Sequence, residues 1–250
     1  MPASPASTDI LAITIDLDDT LWPVRPTLIA AEARLARWLA ENAPATATGF
    51  DPRRRSSLRA RLLERHPDRA HDPSFMRRES LRLAMAEAGE DPRLAEAAFE
   101  VFLAARQMVE PYEDVEAVLC QWAERYRLVA LSNGNADIAR IPCGRHFSAA
   151  ISAHEIGFAK PDPRIFAAAC EAAGALPGHC LHVGDDWHLD IAAAHAAGMH
   201  TAWVRRPEFD DRPVPEESRM HRGPVFDSLR AVDDWLHADP PGRPAARSRS

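Results

Sequence analysis

Ile10-Leu11-Ala12-Ile13-Thr14-Ile15-Asp16-Leu17-Asp18-Asp19-Thr20 carries the reading of the fold. Its first six residues form a short, nearly continuous apolar run, the pattern of a strand buried on both faces of a parallel sheet. The run ends in three aspartates within four positions, at the carboxyl end of the strand, where open α/β sheets place their ligands. Two carboxylates about 4 Å apart repel by roughly 4 kcal/mol at an effective dielectric near 20, so such a cluster persists where a cation or a proton offsets the charge. An extended backbone points Asp16 and Asp18 to the same side. Taken alone, the stretch can also be a solvated acidic turn.

Similar apolar runs recur at 128–131, 149–151, 180–183 and 201–204, with helical stripes between them. Val115, Val118, Leu119 and Trp122 have the spacing of one helix face, as do Ile165, Phe166, Ala169, Cys170 and Ala173. Asp162 and Pro163 are placed to cap and start the second helix, and Gly174 to stop it. Alternating strands and helices with short connections imply a doubly wound, Rossmann-like parallel α/β sheet. One region breaks the alternation. Between positions 26 and 110 the signals are helical only: Leu28, Ala31, Leu35, Trp38 and Leu39, then Leu81, Ala84, Met85 and Ala88, then Leu94, Ala97, Ala98, Val101, Phe102 and Ala105. Roughly 85 residues are too many for one crossover, so this region reads as an inserted helical subdomain. The expected organisation is an α/β core over 9–22 and 111–237, a helical cap over 23–110, and disordered Pro/Ala/Ser/Arg-rich ends at 1–8 and 238–250.

Composition limits the function classes. At 46% hydrophobic and 27% charged residues, the chain reads as an ordinary soluble globular protein of one large domain or two modest ones. A net charge of −7 argues against nucleic-acid and acidic-membrane partners, whose affinity rests on basic residues. The four cysteines form no CxxC pair, which argues against a zinc or disulfide framework. There is no signal-peptide pattern and no long apolar run, so a cytoplasmic location is expected. Of the 30 lysines and arginines, Lys160 is the only lysine.

A second acidic strand end shifts the reading of the first. His182-Val183-Gly184-Asp185-Asp186 runs an apolar strand into a glycine and two acids, with Asp190 following. Two acidic strand ends in one parallel sheet can converge on a hard cation, and oxygen ligands of this kind suit Mg²⁺. Leu131-Ser132-Asn133-Gly134 closes another strand with a hydroxyl and backbone N–H groups able to receive phosphate oxygens. Lys160 precedes Pro161 and lies outside the helix that starts at Pro163. In a chain that otherwise uses arginine, a compact ammonium at this position is not interchangeable with a guanidinium.

Together, Asp16-x-Asp18-x-Thr20, Ser132, Lys160-Pro161 and Gly184-Asp185 followed by Asp190 resemble, in order, the four motifs of the haloacid dehalogenase-like (HAD) hydrolase superfamily. The helical insert resembles that superfamily's C1 cap. Leu131 to Asn135, His182 to Asp186, Ala197-Gly198-Met199, Trp203 and Arg206-Pro207 further resemble a bacterial branch that dephosphorylates FMN and 5-amino-6-(5-phospho-D-ribitylamino)uracil.

The resemblance implies that Asp16 is the nucleophile that becomes an aspartyl-phosphate, and that Asp18 protonates the leaving alcohol and then deprotonates water. It implies Mg²⁺ held by the Asp16 carboxylate, the Asp18 backbone carbonyl and Asp185, with Asp186 and Asp190 in support. Thr20, Ser132, Asn133 and Lys160 would hold phosphate oxygens, and Lys160 would also bond Asp16. The substrate would be a small-molecule phosphate ester and the protein a monomer or homodimer. Dehalogenases of the superfamily lack an acid at the position of Asp18, so phosphoester hydrolysis is favoured; phosphoglycolate, sugar phosphates and haloacids are the alternative substrates. A receiver-like phospho-aspartate switch is the alternative outside enzymes, although it leaves the helical insert unexplained. Trp22, Arg25, Arg77 and Arg78 are the candidates for substrate contact from the cap side. His188 and His195, seven apart on one expected helix, read as surface residues, and His182 as a hydrogen-bonded core residue.

Overall fold

A computed structural model describes residues 10–206, 212–220 and 223–238. The expectation of disorder at the two ends, Ala238 apart, and the Pro207 resemblance lie outside the described residues. The chain enters through β1 (Ala12–Ile15) and continues into five helices: α1 (Val24–Asn42), α2 (Pro44–Gly49), α3 (Pro52–Arg65), α4 (Pro73–Glu87) and α5 (Leu94–Arg106). After α6 (Val115–Ala123) come β2 (Arg127–Ser132), β3 (Ala149–Ser152), α7 (Ala153–Ile156) and α8 (Pro163–Ala173). Next are β4 (Cys180–Gly184), a π-helical turn over Trp187–Ala192, α9 (Ala193–Ala196) and β5 (His200–Val204). β6 (Val225–Phe226) and α10 (Leu229–His237) close the described chain.

The helices start where the side chains permit it. Proline opens α2, α3, α4 and α8, where its missing N–H costs nothing. Asp51, Asp72 and Asp162 accept from the backbone N–H of Arg54, Phe75 and Arg164 at 2.7, 2.8 and 2.9 Å. The expected cap, start and stop of α8 are all present, with Gly174 at φ 62° where a side chain would be strained.

All six strands are parallel, in the order β3-β2-β1-β4-β5-β6. The chain therefore builds outward from β1 in one direction and returns to its other side with β4, which leaves a crevice at the carboxyl ends of β1, β2 and β4. One face of the sheet packs Ile13, Ile15 and Val183 against Trp122 of α6 and Leu236 of α10. The other packs Val129 and Leu131 against Phe166 and Ala169 of α8. β6 had no signal in the sequence because two residues make no periodic run.

The helices α1 to α5 gather round a separate apolar cluster, with Leu35, Leu39, Leu81, Met85, Phe99 and Phe102 among its buried members. The phase of α5 differs from the expected stripe: Ala95 and Phe99 are buried, while Ala97 is exposed. A helix rich in alanine and leucine has no single apolar face until α1 and α4 select one. His188 and His195 do not share one regular helix, because the π-helical turn breaks the register between them; both are exposed. No helix among the described residues is long and apolar enough to cross a membrane.

Candidate active site

Asp16 leaves the end of β1 buried, at 6% exposure, and the chain then closes on itself. Asp19 adopts φ 61°, its N–H donates to the Trp22 carbonyl at 2.8 Å, and its carboxylate receives the Val24 N–H at 2.9 Å. Aspartate tolerates this left-handed conformation better than most residues, so the third acid of the cluster builds the turn that presents the first two. The Thr20 hydroxyl lies 3.3 Å from Asp16 Oδ2 and 3.2 Å from Asp185 Oδ1. It has one proton and can donate to only one of them at a time.

Lys160 ties the strand ends together. Its Nζ is 2.5 Å from Asp16 Oδ1 and 2.5 Å from Asp190 Oδ1, and its side chain is 2% exposed. The loop that delivers it is clamped by Asn133, which accepts the Lys160 N–H at 2.7 Å and donates to the Lys160 carbonyl at 2.9 Å. Asp190 is fully engaged: Oδ1 also meets the His182 ring at 3.2 Å, and Oδ2 accepts the Asp186 N–H at 3.0 Å. His182 is held from behind by Thr14 at 2.8 Å. Gly184 makes this packing possible, because a Cβ there would lie 2.4 Å from Asp190 Cγ. Asp186 instead caps the π-helical turn, accepting the N–H groups of His188 and Leu189 at 2.8 Å each. The two supporting acids thus differ, with Asp190 orienting the lysine and Asp186 holding the turn that carries Asp190.

The charges do not balance around Asp16 and Asp185. Burial, aided by the charges of Asp190 and Asp185, pushes the Asp16 carboxyl well above the usual carboxylate range despite Lys160. Burial and the Asp190 charge push Asp185 up to about 7, although Arg212 lies 2.6 Å from its Oδ2. Burial would raise Asp190 as well, but the Lys160 ammonium and His182 hold it far below the ordinary value. Burial alone would strip the proton from Lys160, and the two carboxylates keep it there. Carboxylate oxygens of Asp16, Asp185 and Asp190 lie within 4.8 Å of one another. Both Asp190 oxygens are committed, to Lys160 and His182 and to the Asp186 N–H, whereas Asp16 Oδ2 and Asp185 Oδ1 share the single Thr20 proton, so these two carboxylates are the pair left to face a hard cation.

The remaining expected residues divide. Ser132 is buried at the end of β2 and its Oγ accepts the Gly134 N–H at 2.9 Å, leaving its own proton free to turn. The Asn133 side chain is the clamp on Lys160, which leaves its backbone N–H as the group for the expected phosphate contact. Trp22, expected on the cap side against substrate, is fully buried, and its Nε1 donates to Asp18 Oδ1 at 2.9 Å. Arg25 is exposed on the first turn of α1. Arg77 pairs with Glu32 at 2.7 Å and stacks over Phe102 at 3.7 Å. It lines a cavity of about 350 Å³ together with Phe50, Arg55, Arg59 and Asn135. Arg78 sits over the Phe99 ring at 5.0 Å and does not line that cavity.

One functional candidate had no signal in the sequence. Arg106, in the last turn of α5, places Nη2 2.6 and 2.5 Å from the two oxygens of Asp18, with its own side chain 2% exposed. Among so many arginines, only the docking of α5 against the sheet singles it out.

Comparison with known proteins places these features together. The sequence matches the haloacid dehalogenase-like hydrolase family over residues 10–198. It is 32% identical over 215 residues, 84% of this chain and 90% of the relative, to the 5-amino-6-(5-phospho-D-ribitylamino)uracil phosphatase YigB of Escherichia coli strain K12. It is 36% identical over 131 residues to the phosphoserine phosphatase of Thermus thermophilus, covering 50% of this chain and 53% of that one. Among solved structures, the 2-haloacid dehalogenase of Pseudomonas syringae pv. tomato DC3000 superposes with a TM-score of 0.83 at 34% identity, covering 91% of this chain and 98% of that chain.

Proposed function

This chain belongs to the haloacid dehalogenase-like hydrolase family, and from that premise we propose that it is a Mg²⁺-dependent phosphomonoesterase working through an aspartyl-phosphate. The observation that carries the reading is the buried pairing of Asp16 with Lys160 beside Asp185, a carboxylate held next to an ammonium and facing a second acid. Asp16 Oδ attacks phosphorus, the ester P–O bond breaks, and Asp18 gives its proton to the departing alkoxide. Asp18 then takes a proton from the water that attacks the same phosphorus, returning phosphate and free Asp16. Lys160 holds one Asp16 oxygen and meets the charge of the transferred group, while Ser132 donates to one of its oxygens.

Mg²⁺ fits the donor set, since Asp16 and Asp185 offer hard oxygens with their carboxyls pushed up by burial and by the neighbouring carboxylate charges. These two carboxylates and the Asp18 backbone carbonyl would hold it. When bound, the ion supplies neutralising charge to both nucleophile and phosphoryl group.

The helices α1–α5 act as the cap, excluding water and meeting the leaving group. Similarity to the ribitylaminouracil phosphatase supports 5-amino-6-(5-phospho-D-ribitylamino)uracil or FMN as substrate, with phosphoglycolate and sugar phosphates as the alternatives. The likeness to a 2-haloacid dehalogenase keeps halide displacement as a second reading. Expelling halide needs no proton, so it gives Asp18 no task. A panel of these esters with Mg²⁺, run beside 2-chloropropionate, decides the matter. Release of phosphate from at least one ester, with no release of chloride, is expected. Chloride release without phosphatase activity would overturn the proposal, and so would a phosphoprotein stable for hours, the mark of a receiver-like switch.

A further inference from the structure

The guanidinium of Arg106 contains two unlike halves. Nη2 contacts both oxygens of Asp18, whereas Nη1 is buried and has no hydrogen-bond partner among the described residues. A buried guanidinium N–H without an acceptor is costly, so it calls for an explanation. Its surroundings supply one. An ideal Cβ on Gly134 would lie 2.7 Å from Asp18 Oδ2, 3.2 Å from Ser132 Oγ and 3.5 Å from Arg106 Nη2. The Arg106 head, the Asp18 carboxylate and the Ser132 hydroxyl therefore crowd round one point, and only a glycine leaves it open. Ser132 closes the strand next to β1, whose end carries Asp16. An anionic oxygen held by Ser132 and drawn toward Asp18 would lie beside this guanidinium, whose Nη1 has no other acceptor among the described residues, and guanidinium is the side chain best matched to phosphate oxygens.

The geometry points to Arg106 as a further catalytic residue, whose Nη1 donates to an oxygen of the transferred phosphoryl group while Nη2 keeps hold of Asp18. This assignment rests on the phosphatase reading and deepens it. It also makes α5 a supplier of one group to the reacting centre: the helix ends at Arg106, and Gln107 just beyond it donates to the Asn135 carbonyl at 3.1 Å and accepts the Asp137 N–H at 2.7 Å. Those two bonds fix the end of α5 on the loop that follows Ser132.

Orthovanadate, which mimics the phosphoryl group in transfer, separates contact with phosphate from an effect through Asp18. Its dissociation constant is measured by calorimetry with Mg²⁺ present, in Asp18→Ala and in Asp18→Ala combined with Arg106→Lys or Arg106→Met. Both acceptor oxygens of the Asp18 side chain are absent from all three, so a residue acting only by holding them has nothing left to do. The expected result is a loss of affinity of about tenfold or more for both double variants relative to Asp18→Ala. Lysine retains the charge and removes the second nitrogen, so the Lys variant tests the contact even if Met at this buried site impairs folding. Affinity within twofold of Asp18→Ala in the Lys variant would overturn the role of Arg106 and leave the phosphatase reading standing. Failure of the Asp18→Ala protein itself to bind orthovanadate would overturn both.

Discussion

The carboxyl ends of β1, β2 and β4 and the helical layer from α1 to α5 present opposite kinds of site. At the strand ends, one dense set of short contacts links Asp16, Lys160, Asp190 and His182, and each member has its partners within the strands and the loops that leave them. In the helical layer, the charged groups near the catalytic end are borne on long side chains. Arg77 is laid on Phe102 and tied to Glu32, while Arg106, in the last turn of α5, belongs with the strand ends through its contact with Asp18. Under the proposed function this contrast is a division of labour: a rigid constellation for chemistry common to all substrates, and an adaptable wall for the leaving group.

The largest effect is expected where that constellation loses its nucleophile. Asp16→Asn should reduce Mg²⁺-dependent ester hydrolysis by about a thousandfold or more without loss of far-UV circular dichroism, because the amide matches the carboxylate in shape and cannot form the acyl phosphate. Lys160→Arg comes next. It keeps the charge, but a planar head cannot sit 2.5 Å from both Asp16 and Asp190 in a pocket closed to 2% exposure. A fall of about tenfold or more in kcat/KM is expected, roughly 1.4 kcal/mol, and near wild-type activity would show that the strand-end site is more tolerant than its packing implies.

A third test reads the charge imbalance through stability. The Asp185 carboxyl stands at about 7 in the folded protein against 3.8 ordinarily. Between those pH values the folded protein binds a proton that the unfolded chain has lost, so this group makes the metal-free protein less stable as pH rises from 5 to 8. A divalent cation that replaces the proton should therefore raise the melting temperature more at pH 8 than at pH 5, by on the order of 5 °C at saturating Mg²⁺. Equal shifts at both pH values would place the cation elsewhere. The smallest effect belongs to the helical layer. Arg77→Met should change KM by roughly two- to fivefold, to an extent that depends on the leaving group, with kcat for p-nitrophenyl phosphate little altered. A uniform loss of kcat across esters would instead put Arg77 with the rigid set.

The same contrast explains what could be read in the sequence. Strand-end residues are set by local rules: an apolar run, then a turn, with Asp16, Ser132 and Asp185 at fixed steps beyond it, and Pro161 and Pro163 bracketing the approach to α8. The task of the Asn133 side chain is not legible in the sequence, since the loop it clamps is brought to it only by the fold. Trp22 was visible as a large residue close to the motif, but its burial and its bond to Asp18 depend on the turn at Asp19 folding back. Arg106 could not be found at all. Its meaning comes from the end of one helix meeting a loop 28 residues away, as the bond from Gln107 to Asn135 records. The phase of α5 failed for the same reason, being set by α1 and α4 rather than by the helix's own residues.

The central claim, that Asp16 carries the phosphoryl group, is tested most directly by rapid acid quenching of the enzyme during turnover of a ³²P-labelled ester, followed by peptide mapping. Acid-stable, hydroxylamine-labile label is expected on the peptide containing Asp16, formed and lost at rates no slower than turnover. Steady phosphate release with no label on that peptide at any quench time would contradict it.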